Sequence, residues 1–316
     1  MHATGNDEAS ANSQSSARRP QSVTLRQMTP ADVDDGLRLC RLSHWNQVAR
    51  DWERFLASHE DAARVAVDTD GRVVGSVAAI RYTAAPTPAG ARTLAWLAMV
   101  LVDPEVRGRG IGRSLLEGGL ASVADVTTVG LDATPLGQPL YETLGFRTDA
   151  ALTRMARARP QAGAAQEDMP GPAEVRPIRR EDLARIARLD AQATGLDRAA
   201  MLTWLWEGAP ELAWVTGDDA GGHGFVLGRH GHAADHLGPI VAASAEIAAQ
   251  LLHTCLPACT EARVLVDIVD AQPGWQGVLE GLGFTAQRPF ARMYRGDWRP
   301  SSNRSLLFAP IGPEFG

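Results

Sequence analysis

The segment VLVDPEVRGRGIGRSLL (100–116) decides how the first half of this chain folds. The apolar run before Pro104 predicts a buried strand, and the apolar spacing after Ile111 predicts a helix. Around the start of that helix, glycine alternates with other residues, at Gly108, Gly110 and Gly112. Glycine allows a positive φ and a close approach of another group to the backbone. A helix N-terminus offers unpaired N–H groups and partial positive charge, so the segment predicts a phosphate-binding loop.

Two common phosphate-binding motifs are excluded by the residues present. The Walker A loop requires a lysine, but all 31 basic residues of this chain are arginine. The dinucleotide-binding fingerprint spaces its glycines as G-x-G-x-x-G, whereas here they alternate strictly. The loop therefore belongs to another class of phosphate site.

Length and composition limit the function classes further. A chain of 316 residues predicts two domains. The net charge of −6, with arginines interleaved among acidic residues, argues against nucleic-acid binding. The chain has no apolar run long enough to cross a membrane, and residues 1–22 lack the apolar segment of a signal peptide. We expect a disordered tail over 1–22, a cytoplasmic protein and no membrane partner.

Cysteine and histidine usage predicts neither a disulfide framework nor a bound metal. The three cysteines are an odd number, with Cys40 far from Cys255 and Cys259. His253 lies near the last two, but a second ligand pair at metal-binding spacing is absent from the sequence. We expect no metal cofactor.

The chain contains an internal repeat. LRQMTPADV (25–33) parallels VRPIRREDL (175–183), and LGFRTDAALTRM (144–155) parallels LGFTAQRPFARM (282–293). These matches predict two copies of one fold, at 23–155 and 175–298. The Ala-, Pro- and Gly-rich stretch 156–174 reads as a linker, and 299–316 as an extended arm.

Within the first copy, hydrophobic period and turn residues predict alternating strands and helices. The predicted strands are 23–27, a hairpin over 64–82, 93–102 and 127–133; the predicted helices begin at Pro30 and cover 44–59, 111–124 and 138–144.

Two motifs give a family resemblance. RGRGIG (107–112) resembles the R/Q-x-x-G-x-G/A loop of the GCN5-related N-acetyltransferases, and YETLGF (141–146), within LDATPLGQPLYETLGF, resembles their Y-x-x-x-G-F motif. HWNQVARDW (44–52) and LGPIVAAS (237–244) are similar to a bacterial two-domain subgroup. The resemblance implies an α/β (α+β) chain with two tandem acetyltransferase-like domains, each a mixed, mostly antiparallel twisted sheet flanked by helices.

The resemblance also implies residue roles. Acetyl-coenzyme A would be the co-substrate, with its pantetheine arm along the strand and its pyrophosphate on the loop. Tyr141 would protonate the departing thiolate, and Thr134 stands where the family often has asparagine. The implied coenzyme-binding residues are Val100, Leu101, Val102, Arg107, Gly108, Arg109, Gly110, Ile111, Gly112, Arg113, Ser114 and Thr134.

The acceptor side is less defined by the sequence. Many family members carry a glutamate base on the long strand, but TLAWLAMVLV (93–102) contains no carboxylate. Asp132, His44, Asp51 and a water chain all remain open as the base. The acceptor residues suggested by the resemblance are Trp45, Asn46, Gln47 and Trp52; the two tryptophans, seven residues apart, equally fit a core stripe on one helix face.

The second copy lacks the loop chemistry. Aligned on the helix leucines, Gly108 and Gly110 correspond to Ser244 and Glu246. A carboxylate in the first helical turn would repel a pyrophosphate, and Leu279 stands at the tyrosine position. We expect the second copy to be degenerate and to support the first domain or wall its cleft.

These observations predict an N-acetyltransferase, an acyltransferase that moves acetyl to the amine of a small molecule by direct attack, acting as a monomer or homodimer. Two alternatives remain: a non-catalytic acetyl-coenzyme A-binding sensor, and an acetyltransferase similar to mycothiol synthase.

Overall fold

The computed structural model describes residues 23–84, 92–158, 174–218, 221–270, 272 and 274–316. The predicted tail (1–22) and residues 159–173 of the predicted linker lie outside these ranges. Residues 156–158 continue a strand of the first half.

The strands of the first half follow the predicted order. They are β1 (Thr24–Gln27), β2 (Ala63–Val67), β3 (Val73–Ala84), β4 (Thr93–Val102), β5 (Thr128–Ala133) and β6 (Arg147–Ala158). The second half adds β7 (Val175–Pro177), β8 (Leu196–Asp197), β9 (Trp214–Asp218), β10 (Gly221–Arg229), β11 (Asp235–Ala242), β12 (Arg263–Val269), β13 (Thr285–Arg295) and β14 (Leu307–Ala309).

Four α-helices lie in the described part of each half. The first four are α1 (Val33–Leu42), α2 (Ala49–Leu56), α3 (Ile111–Ala121) and α4 (Gln138–Thr143). The second four are α5 (Leu183–Thr194), α6 (Ala199–Gly208), α7 (Ala245–Cys255) and α8 (Trp275–Gly281).

The described strands form one mixed sheet. Its main order is β1-β2-β3-β4-β5-β13-β6-β12-β11-β10-β9-β7. In this order only β4 with β5 and β11 with β12 run parallel; the other neighbours are antiparallel. The mostly antiparallel α/β architecture predicted for both copies is therefore confirmed.

The two halves exchange their last strands. β13, from the second half, pairs with β5 of the first half through Ala291–Ala133 to Arg295–Val129. β6, from the first half, pairs with β12 over residues 152–158. The boundary at 155–175 therefore divides the sequence but not the folded structure. Each half completes its part of the sheet with a strand of the other half.

Each exchanged strand carries a buried arginine that binds an aspartate of the other half. Arg154 on β6 donates two hydrogen bonds to Asp267, both of 2.7 Å. Arg292 on β13 donates to Asp132 at 2.9 and 2.8 Å. These arginines occupy matching positions of the predicted repeat, in LTRM and FARM. The two ion pairs are equivalent and fix the register of both exchanged strands.

One apolar core joins the two halves. It includes Trp52 and Phe55 of α2, Leu205 of α6 and Phe225 of β10. Separate apolar clusters lie under α3 and under α7. Helices α1, α2, α5 and α6 thus share a core, whereas α3 and α7 pack on their own halves.

Two local predictions need correction. The helix expected over 44–59 begins only at Ala49, because Ser43–Val48 forms a loop. The segment 299–316, expected to be an extended arm, packs against both halves: β14 pairs with β11, and Phe315 is fully buried against Phe55 with ring centroids 5.1 Å apart. We call 299–316 the C-terminal segment.

Candidate functional site

A groove opens where β4 and β5 separate. The two strands pair only at Leu94–Thr128, Ala95–Val129 and Trp96–Gly130 within the described chain. Further along, Val100, Leu101 and Val102 line a solvent-open groove together with Gly108, Gly110 and Gly112. We call it the glycine-loop groove. Strand β4 therefore has the free edge that the sequence motif requires.

A bulge in β4 contributes to this separation. Met99 has a φ of +54°, which is unusual for a side chain with a Cβ. Its carbonyl accepts a 2.8 Å hydrogen bond from the buried Ser76 hydroxyl, and the pairing with β3 shifts between Ser76 and Ala78. Such bulges re-aim a strand next to a binding site. The sequence carried no signal for this conformation.

The backbone conformation of the loop requires glycine at two positions. Gly108 and Gly110 have φ values of +74° and +84°, and Gly110 is the N-cap of α3. A Cβ at either position would meet no atom within 4 Å, so the space in front of the loop is open. The first-turn N–H groups of Ile111, Gly112 and Arg113 have no acceptor within the helix and remain available to a ligand.

The predicted loop contacts are only partly assembled. Arg107 and Arg113 line the groove. Arg109 does not, and its guanidinium contacts the Glu105 carbonyl. Ser114 is also outside the lining, because its N–H donates to the Gly110 carbonyl as part of the helix. The Ser114 N–H is therefore not available to a ligand, and the Arg109 side chain lies outside the groove lining.

A smaller cavity adjoins the groove; we call it the inner cavity. Tyr141, Thr134 and Asp132 line both spaces, so the two meet at the start of α4. Tyr141 packs edge-on against Phe146, and burial raises the pKa of its phenol to about 12. The tyrosine therefore stays protonated at neutral pH. Thr134 caps the turn before α4 by accepting from the Gly137 N–H.

The predicted acceptor residues differ in where they lie and in what they contact. Trp45, Asn46 and Gln47 all line the inner cavity, and the buried Gln47 Oε1 has no hydrogen-bond partner among the described residues. Asn46 instead uses its amide to join the halves, donating to the Ala234 carbonyl and accepting from the Ala233 N–H.

Trp52 is not an acceptor residue. It is fully buried beside Phe55 in the joint core and lines neither space. Trp45 lies in the loop before α2, so the two tryptophans do not share a helix face. Trp52 is a core residue, but the predicted stripe of two tryptophans on one helix face does not form.

Two of the candidate bases named from the sequence already have hydrogen-bond and charged partners, and the third lies outside the inner cavity. Asp132 holds Arg292, and Asp51 accepts from the Val48 N–H at the start of α2 and lies 3.5 Å from Arg229. His44 lines the groove but not the inner cavity.

The inner cavity also contains a carboxylate that sequence reasoning missed. Glu314, in the C-terminal segment, lines the cavity with Tyr141 and is 3% exposed. It forms an ion pair with Arg229. No motif marks this residue, and only the path of the C-terminal segment brings it to the cavity.

The second half contains a matching separation between β11 and β12, which pair only at Asp235–Val264 and His236–Leu265. Here the free edge of β11 is covered by β14, through Ile240–Ala309 and Val241–Leu307. Phe308 packs edge-on against Trp275 at 5.0 Å. The Ser244 side chain caps α7 by accepting from the Ile247 N–H. The equivalent of the groove is thus filled by the chain itself.

Both halves of the chain match a known protein family. Two family models, both described as Acetyltransferase (GNAT) domain, match residues 59–148 and 186–309. The chain belongs to the GCN5-related N-acetyltransferase superfamily, with two such domains in tandem. Members of this superfamily are transferases that use acetyl-coenzyme A.

Two curated relatives are similar over large parts of the chain. An "Uncharacterized N-acetyltransferase YitH" of Bacillus subtilis is 28% identical over 60% of this chain and 65% of its own length, just under two thirds. A "Holothin acyltransferase" of Pseudoalteromonas is 26% identical over 86% of this chain and 87% of its own length.

Solved structures share the fold across both halves. A putative acetyltransferase from Pyrococcus horikoshii has a TM-score of 0.75 at 19% identity, covering 94% of this chain and 96% of its own. A GCN5-related N-acetyltransferase from Sphaerobacter thermophilus has a TM-score of 0.62 at 18% identity, covering 90% and 100%.

No helix in the described part of the chain has the length and apolar character needed to span a membrane. No group of three or more His, Cys, Asp or Glu side chains in this part of the chain is arranged to hold a metal ion.

Proposed function

We propose that this protein transfers an acetyl group from acetyl-coenzyme A to the amine nitrogen of a small molecule. The observation that carries the proposal is the position of Tyr141, which lines both the glycine-loop groove and the inner cavity. A donor in the groove and an acceptor in the cavity would meet beside its phenol.

The groove fits the coenzyme. The free edge of Val100–Val102 offers backbone donors and acceptors to a pantetheine amide, and the N-terminus of α3 suits a pyrophosphate. The second half supports this assignment independently. There, β14 hydrogen-bonds to β11 at Ile240 and Val241. These two residues pair with β10 on their other side, as Leu101 and its neighbours pair with β3 in the first half. An extended chain of peptide-like groups therefore fits such a cleft.

The chemistry needs one proton donor and one proton acceptor from the protein. Acetyl-coenzyme A supplies an activated thioester. The amine nitrogen forms a bond to the acetyl carbon, the carbon–sulfur bond breaks, and the sulfur leaves with the bonding electrons. The protonated Tyr141 gives its phenolic proton to that sulfur, and the amine loses one proton. Both products are then neutral at the reacting atoms.

The coenzyme assignment is tested with a matched pair of variants. Gly110→Glu brings a carboxylate to the start of α3, as Glu246 does in the second half. Gly71→Glu makes the same change at a φ of +81°, also facing open space, but in the turn between β2 and β3. Thermal shift should show that acetyl-coenzyme A stabilises the wild type and Gly71→Glu but not Gly110→Glu, since a ligand stabilises the folded state it binds.

The outcomes separate the remaining alternatives. Equal stabilisation of both variants would remove the pyrophosphate assignment. Tight coenzyme binding without thiol release, with any primary amine of a broad panel, would favour the non-catalytic sensor. Binding that survives Gly110→Glu but is lost on changes in the second half would favour a site there, as in the mycothiol synthase-like alternative.

A further inference from the structure

We propose that Glu314 of the C-terminal segment binds the acceptor amine and accepts its proton. This assignment rests on the proposed acetyl transfer. It supplies the proton acceptor that strand β4 lacks, since residues 93–102 contain no carboxylate.

The position of Glu314 is fixed from both sides along the chain. The Pro313 carbonyl accepts a 2.8 Å hydrogen bond from the Trp96 indole. The Phe315 carbonyl accepts a 2.7 Å bond from the Tyr82 hydroxyl, and the Phe315 ring stacks on Phe55. Both anchors lie in the first half. The backbone therefore holds the Glu314 side chain at the wall of the inner cavity.

Glu314 shares its arginine partner with another carboxylate. Arg229 contacts two carboxylates, Glu314 and Asp51. Next to Arg229, His236 is fully buried, and burial lowers its pKa to about 4, so it is neutral. The Glu314 carboxylate has two oxygens and about four lone-pair sites, so the ion pair leaves it able to accept a hydrogen bond from an amine N–H.

The other charged side chains around the cavity form ion pairs with each other, except for Arg288. Asp132 is paired with Arg292, and Arg154 with Asp267. Arg288 lies over the Phe290 ring at 4.9 Å, and burial lowers its pKa to about 10. The groups that face Glu314 or share its cavity are Arg229, Asp51, His236, Asp132, Arg154, Arg288 and Tyr141.

A second polar atom supports binding of an amine. Gln47 is 5% exposed and lines the same cavity, and its Oε1 lacks a partner among the described residues. Buried amide oxygens normally accept a hydrogen bond. An amine with two N–H groups would satisfy Gln47 and Glu314 together. Trp45 and Phe290 give the cavity an aromatic lining.

The proton balance closes with this residue. As the amine nitrogen bonds to the acetyl carbon, its proton passes to a Glu314 carboxylate oxygen, while Tyr141 protonates the leaving sulfur. The carboxylic acid of Glu314 and the phenolate of Tyr141 then exchange protons with solvent, which restores both groups.

The experiment compares Glu314→Gln with Asp51→Asn, using benzylamine, phenethylamine, tyramine and tryptamine as probes. Both substitutions remove a carboxylate from Arg229, but Asp51 does not line the cavity. We expect kcat/KM for the amine to fall by about 10²-fold in Glu314→Gln and little in Asp51→Asn. Glu314→Asp, which keeps a carboxylate, should restore part of the rate.

Two further readouts separate catalysis from structure. At saturating acetyl-coenzyme A, Glu314→Gln should lower kcat as well as raise KM for the amine, whereas KM for acetyl-coenzyme A should stay unchanged. The thermal shift with acetyl-coenzyme A should be the same in both proteins, because Glu314 does not line the groove.

Each outcome decides the assignment. Equal losses in Glu314→Gln and Asp51→Asn, or an unchanged kcat in Glu314→Gln, would overturn the role of Glu314 and leave acetyl transfer intact. If the wild type released no thiol with any probe, acetyl transfer to such amines and the role of Glu314 would both be wrong.

Discussion

Tyr141 combines a partly buried ring with a position between the groove and the inner cavity. Burial raises its pKa to about 12, so the phenol keeps its proton throughout the neutral range. A general acid of this kind contributes about 10²–10⁴ in rate. Its position follows from YETLGF, which places it on α4 ahead of Gly145, whose φ is +85°.

We expect Tyr141→Phe to lower kcat about 10²-fold while leaving the affinity for acetyl-coenzyme A unchanged. The control is Tyr294→Phe, a buried tyrosine that lines neither the groove nor the inner cavity. Thiol release under single-turnover conditions measures the effect. An undiminished rate in Tyr141→Phe would exclude the tyrosine as the acid.

Asp182 gives a pH-dependent contribution to stability. It accepts two 2.7 Å hydrogen bonds from Arg176, which lower its pKa from 3.8 to about 2. Because the folded pKa lies below the unfolded one, the contribution is present above about pH 4 and is lost as the pH falls towards 2.

Asp182→Asn should therefore cost about 1 kcal/mol at neutral pH, an amount limited by the partial exposure of Arg176. The difference in Tm from the wild type should shrink at acid pH. Asp32→Asn should behave in the same direction, since Arg26 and Asp32 form the equivalent pair in the first half. A difference independent of pH would show that capping, and not charge, is responsible.

At the scale of single elements, β14 has a specific role in the second half. It hydrogen-bonds to the edge of β11 and buries Phe308 against Trp275. The cleft between β11 and β12 is therefore closed to other chains or ligands.

We expect acetyl-coenzyme A to bind once per chain, as measured by titration calorimetry. Phe308→Ala should lower the free energy of unfolding by about 3 kcal/mol, the cost of emptying a buried aromatic site, without adding a second binding site. A stoichiometry of two in the wild type would contradict the closed cleft.

Several elements were predictable because local sequence determines them. The β2–β3 turn, the long apolar strand β4 and the glycine N-terminus of α3 follow from residue pattern. The bulge at Met99 was not predictable, because its positive φ is imposed by packing around Ser76. The same holds for Glu314, which reaches the cavity only through tertiary contacts of a segment that has no motif.

The whole molecule is held together by the exchange of β6 and β13. The sequence repeat predicted two similar copies but could not show the exchange, because each strand has the same pattern whichever sheet it joins. Arg154–Asp267 and Arg292–Asp132 each connect the two halves.

Asp267→Asn should lower the free energy of unfolding by about 3 kcal/mol or more, since it leaves Arg154 buried without its ion pair. Asp125→Asn is the control, because its pair with Arg81 is exposed and should contribute less than about 1 kcal/mol. Both halves should unfold in one transition, observed by calorimetry. Two separate transitions would contradict the joint core.

The strand exchange also limits how this gene can change. The second copy can lose its glycines and its tyrosine position without harm, but it cannot be deleted. Its β13 completes the sheet of the first copy, and the chain after it delivers Glu314 to the inner cavity. A shortened chain that kept every loop and tyrosine motif would therefore have an incomplete sheet and would lack Glu314 at the cavity wall.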